Sequence, residues 1–112
     1  MPELPRRAEV WLADLGEPIG HEAAFVRPVL VVSDDPANRH GLAVICPIGT
    51  TKRNYPSRVE IVEEDSGLDR TSYVQAEQVR TISTDRLVHH VGTASLPVMH
   101  EVERVLRMLL RL

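Results

Sequence analysis

The chain has 112 residues, of which 43% are hydrophobic and 26% charged, and its formal net charge is −3. This length favours a single domain spanning residues 1–112, and the negative charge excludes a nucleic-acid binder that relies on a surface basic as a whole. The single cysteine, Cys46, excludes an internal disulfide and a cysteine-based zinc cluster. With no transmembrane run and no signal-peptide apolar stretch, we expect a cytoplasmic protein without membrane contact.

The first half of the chain is predicted to form an arm, three strands and the loops between them. Met1–Pro5 contains two prolines and is expected to be a flexible arm. Alternating or continuous apolar runs predict strands at Glu9–Leu15, Pro28–Ser33 and Leu42–Ile48. Glycine, proline and short polar side chains predict loops at Gly16–Ala24 and Asp34–Gly41.

The following segments are shorter and more polar. Ser57–Val62 alternates with period two, which predicts a strand with one face in water. The acid-rich stretch Glu63–Asp69 is predicted to be a solvated turn. Ser72–Ser83 reads as a further strand whose alternation slips once, at Glu77 and Gln78, which indicates a β-bulge.

The C-terminal segment has the pattern of an amphipathic helix. Ser95 can cap its N-terminus, and Pro97 is tolerated in the first turn. Its apolar positions recur at helical spacing, and we expect all of them in the core: Val98, Met99, Val102, Val105, Leu106, Leu109 and Leu110. Five short strands followed by one helix predict a mostly β protein, a small, strongly bent antiparallel barrel capped by the helix.

Three segments carry side chains suited to chemistry on a phosphodiester. They are the first loop with His21, Glu22 and Arg27, the segment Gly49–Pro56, and the irregular strand from Gln75 to Arg80. Cleavage of RNA without a metal needs donors for phosphate oxygens, a base near the 2′-OH and an acid near the leaving 5′-oxygen. Arginine suits the charge that develops on the phosphoryl oxygens, because its fork matches two of them.

Each of these residues also has a simpler explanation. Glu22 can pair with Arg27, and Lys52 and Arg53 can serve solubility alone. The five histidines show no metal-binding spacing, so we expect no metal and no other cofactor. The combination of the three segments is therefore more informative than any single residue.

Six segments, in this order, resemble the MazF/PemK toxins of type II toxin–antitoxin systems. They span about residues 6–112 and read RRAEVWLADL, GHEAAFVRPVLVVS, CPIGTTKRNYP, SRVEI, GLDRTSYVQAEQVRTI and VMHEVERVLRMLL. The resemblance implies an SH3-like (CcdB/PemK-type) barrel, a homodimer, and a metal-independent, ribosome-independent endoribonuclease that cuts single-stranded RNA at specific sequences. It also implies 2′,3′-cyclic phosphate and 5′-hydroxyl products, and a MazE-like antitoxin as partner.

The resemblance assigns roles to particular residues. It places phosphoryl stabilisation on Arg27, and base or RNA-contact roles on His21 and Glu22. With Thr50 these form the expected catalytic set, without an assignment of acid and base. The expected RNA-binding set is Thr51, Lys52, Arg53, Asn54, Tyr55, Glu77, Gln78 and Arg80.

Two positions depart from the family pattern. A threonine that assists the arginine usually stands where this chain has Gly49, so either Thr50 or a backbone amide replaces it or the activity is reduced. Ala8 replaces a usual glycine, with an expected effect on packing only. The alternatives are a weakened member that binds antitoxin or nucleic acid without cleavage, and a gyrase-directed toxin of the same fold. We disfavour the second because such toxins act through C-terminal residues, and here the last helix is expected to be fully packed.

Overall fold

Seven strands and two α-helices make up the part of the protein that the computed structural model describes, residues 4–62 and 66–112. The strands are β1 Glu9–Asp14, β2 Val26–Val31, β3 Leu42–Gly49, β4 Arg58–Ile61, β5 Ser72–Gln75, β6 Arg80–Ser83 and β7 Leu87–Thr93. The helices are α1 Asp35–Asn38 and α2 Leu96–Leu110, and 3₁₀ turns occupy Ala76–Gln78 and Thr84–Arg86. No helix within the described ranges is long and apolar enough to cross a membrane.

All strand pairs are antiparallel, and the strands follow the order β4-β5-β3-β2-β1-β7 with β6 attached to β3. The long strand β3 pairs with β6 through Leu42–Ile45 and with β5 through Ile48 and Gly49. This division bends the sheet around the core, as predicted. The barrel is not closed, because the two end strands of this path, β4 and β7, do not pair with each other in the described chain.

The core has one apolar cluster on each face of the sheet. The cluster under α2 includes Leu30, Cys46, Ile48 and Val74, and the other is built around Trp11, Val29 and Ile45. The Cys46 side chain is fully buried within the apolar cluster under α2. Burial, and to a smaller extent the charge of Glu77, raises the pKa of the thiol to about 12, so Cys46 is neutral and acts as a small hydrophobic residue.

Helix α2 begins where the sequence predicts, because the Ser95 hydroxyl accepts a hydrogen bond from the Val98 amide. Met99, Val102 and Val105 are buried against the sheet. The expectation that the whole apolar stripe is core is wrong at its end, since Leu109 is 41% and Leu110 54% exposed. Every residue from 107 to 112, which includes the last turn of α2, is exposed.

The strand prediction missed two features of the second half. β7 was not among the five predicted strands, because its central histidines hide the apolar alternation. The predicted strand Ser72–Ser83 is two strands, and the slip at Glu77 and Gln78 is a 3₁₀ turn rather than a β-bulge. This turn lets β5 and β6 pair with opposite ends of β3.

Three predictions about loops and the N-terminal arm can be compared with the structure. The segment Asp34–Gly41 contains the short helix α1, which the Asp34 carboxylate caps by accepting from the Asp35 amide. Pro5 is buried and its carbonyl accepts a 3.0 Å hydrogen bond from Asn38, so it is not part of a loose arm. Residues 1–3 of that arm and residues 63–65 of the predicted acidic turn lie outside the described residues.

Ala8 has a backbone conformation that favours glycine. Its φ is +77°, in the left-handed region, and its amide and carbonyl are both fixed by hydrogen bonds, to the Val31 carbonyl at 2.8 Å and from the Ala94 amide at 2.7 Å. A residue with a Cβ adopts this region at a cost of roughly 1–2 kcal/mol. The expectation of a packing effect alone is therefore wrong, because this alanine carries backbone strain.

We expect Ala8→Gly to raise the free energy of unfolding by up to about 1 kcal/mol, because relief of the left-handed strain exceeds the entropy cost of glycine and the lost methyl contact. Ala13→Gly is the matched control, since Ala13 is buried in β1 without a positive φ. It should lower the free energy of unfolding by about 1–2 kcal/mol. Urea denaturation measures both, and an equal loss in the two variants would contradict the strain at Ala8.

Candidate active site

An open groove of about 1170 Å³ lies between the β1–β2 loop, the β3–β4 loop and the segment that joins β5 to β6. All three segments selected from the sequence therefore line one surface. Its charged side chains are Arg27, Arg53, Arg58 and Arg80 against Glu22 and Glu77. Cations outnumber anions here although the whole chain has a net charge of −3, which agrees with the prediction that any nucleic-acid contact is local.

The side chain of Gln78 fixes the β1–β2 loop through two hydrogen bonds. The loop is closed at its base by a 2.9 Å bond from the Leu15 amide to the Phe25 carbonyl and a 2.7 Å bond from the Phe25 amide to the Gly16 carbonyl. Gln78 Oε1 accepts from the Ala23 amide at 2.5 Å, and its Nε2 donates to the His21 carbonyl at 3.2 Å. Both ends of this amide are thus used inside the protein, which gives Gln78 a positioning role at the groove.

Arg27, on β2, presents its guanidinium to the groove. Its Nε donates to the Ala24 carbonyl at 3.1 Å, which fixes the direction of the side chain. Within residues 4–62 and 66–112, neither terminal nitrogen of Arg27 has a hydrogen-bond partner, and no ion pair joins Arg27 to Glu22. The fork of this arginine is therefore free to bind an anion, and the simpler reading of a Glu22–Arg27 pair is wrong.

His21 and Glu22 are exposed on the loop that forms the wall of the groove. The described part of the chain offers no hydrogen-bond partner to the imidazole of His21 or to the carboxylate of Glu22. Both groups are in contact with solvent. Together with Arg27 they form the part of the expected catalytic set that the fold brings together.

Glu77 is tied to the protein by an ion pair. Its carboxylate accepts from Ser57 Oγ at 2.8 Å and from Arg58 Nε at 2.8 and 3.0 Å, and a 2.7 Å ion pair adds a terminal nitrogen of Arg58. Partial burial raises the pKa of Glu77, but the bonds from Arg58 and Ser57 outweigh it and hold that pKa below its ordinary value. Glu77 is therefore a weak base at neutral pH.

Arg58 was not among the predicted site residues. Its guanidinium lies 5.1 Å from the ring centre of Tyr55, besides pairing with Glu77. In the segment SRVEI, Arg58 falls on the face of β4 that was predicted to be in water. This alternation was the only sequence signal that Arg58 could reach the groove. Arg58 therefore links Tyr55 to Glu77 across the groove.

The β3–β4 loop contributes only part of the predicted set. Thr51, Arg53 and Tyr55 line the groove, and Arg80 joins them from β6. Thr50, Lys52 and Asn54 are exposed but are not among the described residues that line it. The catalytic role expected of Thr50 therefore stays a prediction.

The space beside Gly49 is filled by Gln75, which the sequence analysis left out of the site set. A Cβ on Gly49 would lie 2.6 Å from Nε2 of Gln75, closer than real side-chain contacts allow. Gln75 is 92% buried, and its Oε1 has no hydrogen-bond partner in the described chain. The departure from the family pattern at Gly49 is thus linked to a second residue 26 positions away.

Residues 6–110 match the family described as PemK-like, MazF-like toxin of type II toxin-antitoxin system. The chain belongs to this family. A relative named Endoribonuclease MazF9, from Mycobacterium tuberculosis, is 36% identical over 110 residues, which cover 92% of this chain and 93% of the relative. This family membership confirms the resemblance on which the fold and function were predicted.

Solved structures agree with this fold. A crystal structure of MazF from Deinococcus radiodurans has a TM-score of 0.89 and 26% identity, and covers 99% of this chain and 100% of its own. An endoribonuclease in complex with its cognate antitoxin, from a mycobacterial species, has a TM-score of 0.81 and 30% identity, with 96% of each chain covered. The mostly antiparallel sheet with a C-terminal helix is therefore confirmed as the fold of these toxins.

The ion pair of Glu77 predicts a pH-dependent stability. Because the pKa of Glu77 is lowered in the folded state, the carboxylate stabilises the fold above its ordinary pKa of 4.5, and this contribution is lost as the pH falls below that value. We expect Glu77→Gln to be less stable than the wild type at pH 7, with a difference that shrinks at pH about 3.

Urea denaturation at the two pH values measures this difference. Glu60→Gln removes an exposed carboxylate of the neighbouring strand that has no ion pair in the described chain, and it should change stability little at either pH. A Glu77→Gln difference that is the same at both pH values would contradict the stabilising role of the ionised carboxylate.

Proposed function

We propose that this protein is an endoribonuclease toxin that cleaves single-stranded RNA, without a metal and without the ribosome, at specific sequences. The observation that carries the proposal is Arg27, an arginine held by its Nε in an open groove, whose terminal nitrogens have no partner among the described residues. Such a fork can hold two phosphoryl oxygens of a phosphodiester. The excess of arginine in a groove on an acidic protein supports RNA as the ligand.

The reaction is an attack of the ribose 2′-oxygen on the adjacent phosphorus. The bond from phosphorus to the 5′-oxygen breaks, which leaves a 2′,3′-cyclic phosphate and a 5′-hydroxyl. A base must accept the proton of the 2′-OH, and an acid must supply one to the leaving 5′-oxygen. Negative charge grows on the phosphoryl oxygens during attack, and the Arg27 guanidinium stabilises it.

His21 and Glu22 are the residues we assign to proton transfer. Both are exposed at the groove and have no competing partner in the described chain. Glu77 is a poorer candidate, because Arg58 and Ser57 occupy its oxygens and its pKa is lowered. Glu77 serves the site by holding Arg58 beside Tyr55, where an unpaired base can stack.

The partners we propose follow from the family. The mycobacterial structural relative is described with its cognate antitoxin, and we propose that a MazE-like antitoxin binds this protein as well. We propose a homodimer in which the whole chain acts as one toxin domain, in the cytoplasm. An antitoxin that covers the groove would compete with RNA for Arg27, so its binding and RNA cleavage should exclude each other.

A gyrase-directed toxin is the second candidate, and one observation favours it. The C-terminal helix was expected to be fully packed, but Leu109 and Leu110 are exposed, so its end is available to a protein partner. This function needs no groove with a free arginine, whereas RNA cleavage does. The two are separated by incubating the purified protein with naked RNA and, separately, with purified gyrase.

We expect Arg27→Ala to lower RNA cleavage by about 10²–10³-fold or more, because it removes the donors for the phosphoryl oxygens. Arg27→Lys keeps the charge without the fork and should recover only part of the rate. Cleavage of a long, weakly structured RNA is followed in EDTA, with cut sites mapped and end groups identified.

Arg39→Ala is the matched control, because Arg39 is an exposed arginine outside the groove. It should cleave at the wild-type rate. Wild-type cleavage by Arg27→Ala would overturn the assignment of the site. Tight antitoxin binding by a wild-type protein that cleaves no RNA would select the alternative of a binding module without catalysis.

A further inference from the structure

Within residues 4–62 and 66–112, the amide of Gln75 is a buried polar group at the groove that forms no internal hydrogen bond. Gln75 as a residue is 92% buried and lines the groove, yet no described residue donates a hydrogen bond to its buried Oε1 or accepts one from its Nε2. The amide of Gln78, three residues further on, is paired at both ends. Nε2 is therefore a donor that the described part of the chain leaves unpaired at the groove, where a ligand oxygen can accept its hydrogen bond.

The position of Gln75 is fixed by the sheet. In the β4–β5 register Gln75 lies opposite Arg58, and its alternation with Val74 directs it away from the cluster under α2. Nε2 of Gln75 fills the space where a Cβ on Gly49 would stand, at 2.6 Å. The amide therefore reaches across from β5 to the end of β3.

Arg27 lies on the same face. Val29 pairs with Pro47 in the β2–β3 register, and the register continued by two residues places Arg27 opposite Gly49. Side chains directly opposite each other in an antiparallel pair have Cβ atoms about 5 Å apart. The amide of Gln75 thus fills the space beside the Gly49 backbone, between β2, which carries Arg27, and β4, which carries Arg58.

We propose that Nε2 of Gln75 donates a hydrogen bond to a phosphoryl oxygen of the same RNA phosphate that Arg27 binds. This inference rests on the proposed ribonuclease function and names a further substrate-binding residue for it. The absence of a side chain at Gly49 makes the space for this amide. Gly49 and Gln75 therefore act together. The glycine does not merely lack the hydroxyl of the family threonine, because its missing side chain leaves room for the amide donor of Gln75.

Gln75→Met tests the donor, because methionine keeps the length of the side chain and removes the amide. We expect its kcat/KM for RNA cleavage to fall by about 10–100-fold. Its thermal midpoint should stay at or above the wild-type value, because the variant removes an unpaired buried oxygen. Gln78→Met is the matched control and should lower the thermal midpoint, because it leaves the Ala23 amide without a partner.

Gly49→Thr tests the shared space. In the wild-type background it should lower both the thermal midpoint and the cleavage rate, because the new Cβ displaces the Gln75 amide. Combined with Gln75→Ser, the same substitution should lower the thermal midpoint much less. Equal losses in both backgrounds would overturn the placement of Gln75 beside Gly49.

A binding measurement on the wild-type protein tests the proposal even if the variants fail to fold. An RNA oligonucleotide with a single 2′-deoxyribose at the cut site binds without cleavage. On binding, the side-chain NH₂ signals of Gln75 should shift in the ¹⁵N spectrum, and those of Gln78 should shift less. Unchanged Gln75 signals in the saturated complex would overturn the proposal.

The outcomes separate this inference from the proposed function. Cleavage by the wild type and by Gln75→Met at rates within twofold overturns the role of Gln75 and leaves the ribonuclease intact. A wild-type protein that neither binds nor cleaves RNA overturns both. Reduced cleavage by Gln75→Met with an unchanged thermal midpoint, together with loss of cleavage in Arg27→Ala, supports both.

Discussion

The pairing of β3 with three other strands is the constraint on which the rest of the structure depends. Its first half pairs with β6, its last residues with β5, and its other edge with β2. Each of these partners carries groove residues, namely Arg80, Gln75 and Arg27. Because one strand sets all three registers, a slip of one residue in β3 would turn alternate side chains to the wrong face and dismantle the groove.

Hydrophobic periodicity made much of this fold predictable. The apolar strands β2 and β3 and the helix α2 with its Ser95 cap follow from local pattern. The groove segments follow from their side-chain chemistry and from the family resemblance. Pattern failed where tertiary contacts decide. The edge strand β7 contains two histidines that hide its alternation. The turn at Ala76–Gln78 forms because β5 and β6 pair with different parts of β3. The exposure of Leu109 depends on where the sheet ends. The Gly49–Gln75 contact joins strands far apart in sequence, so no local signal could reveal it.

Similar residues at this site do different work because their surroundings differ. Glu77 and Gln78 are polar neighbours in sequence, and both are consumed by internal bonds that hold Arg58 and the β1–β2 loop. Glu22 and Gln75 have the same functional groups, but these have no partner in the part of the chain that the structure describes. Residue type therefore identifies the groove, whereas the hydrogen-bond inventory separates the groups that shape it from those left for a ligand.

The two hydrogen bonds between Gln78 and the β1–β2 loop also bear on how the toxin is made. They join residues 55 and 57 positions apart in sequence. Synthesis proceeds from the N-terminus, so His21, Glu22 and Arg27 leave the ribosome well before the segment that holds their loop in place. Closing so long a connection costs chain entropy and comes late in folding. A nascent chain that ends before β5 thus contains His21, Glu22 and Arg27 but lacks the residue that fixes their loop, and the groove can form only after most of the chain has been synthesised.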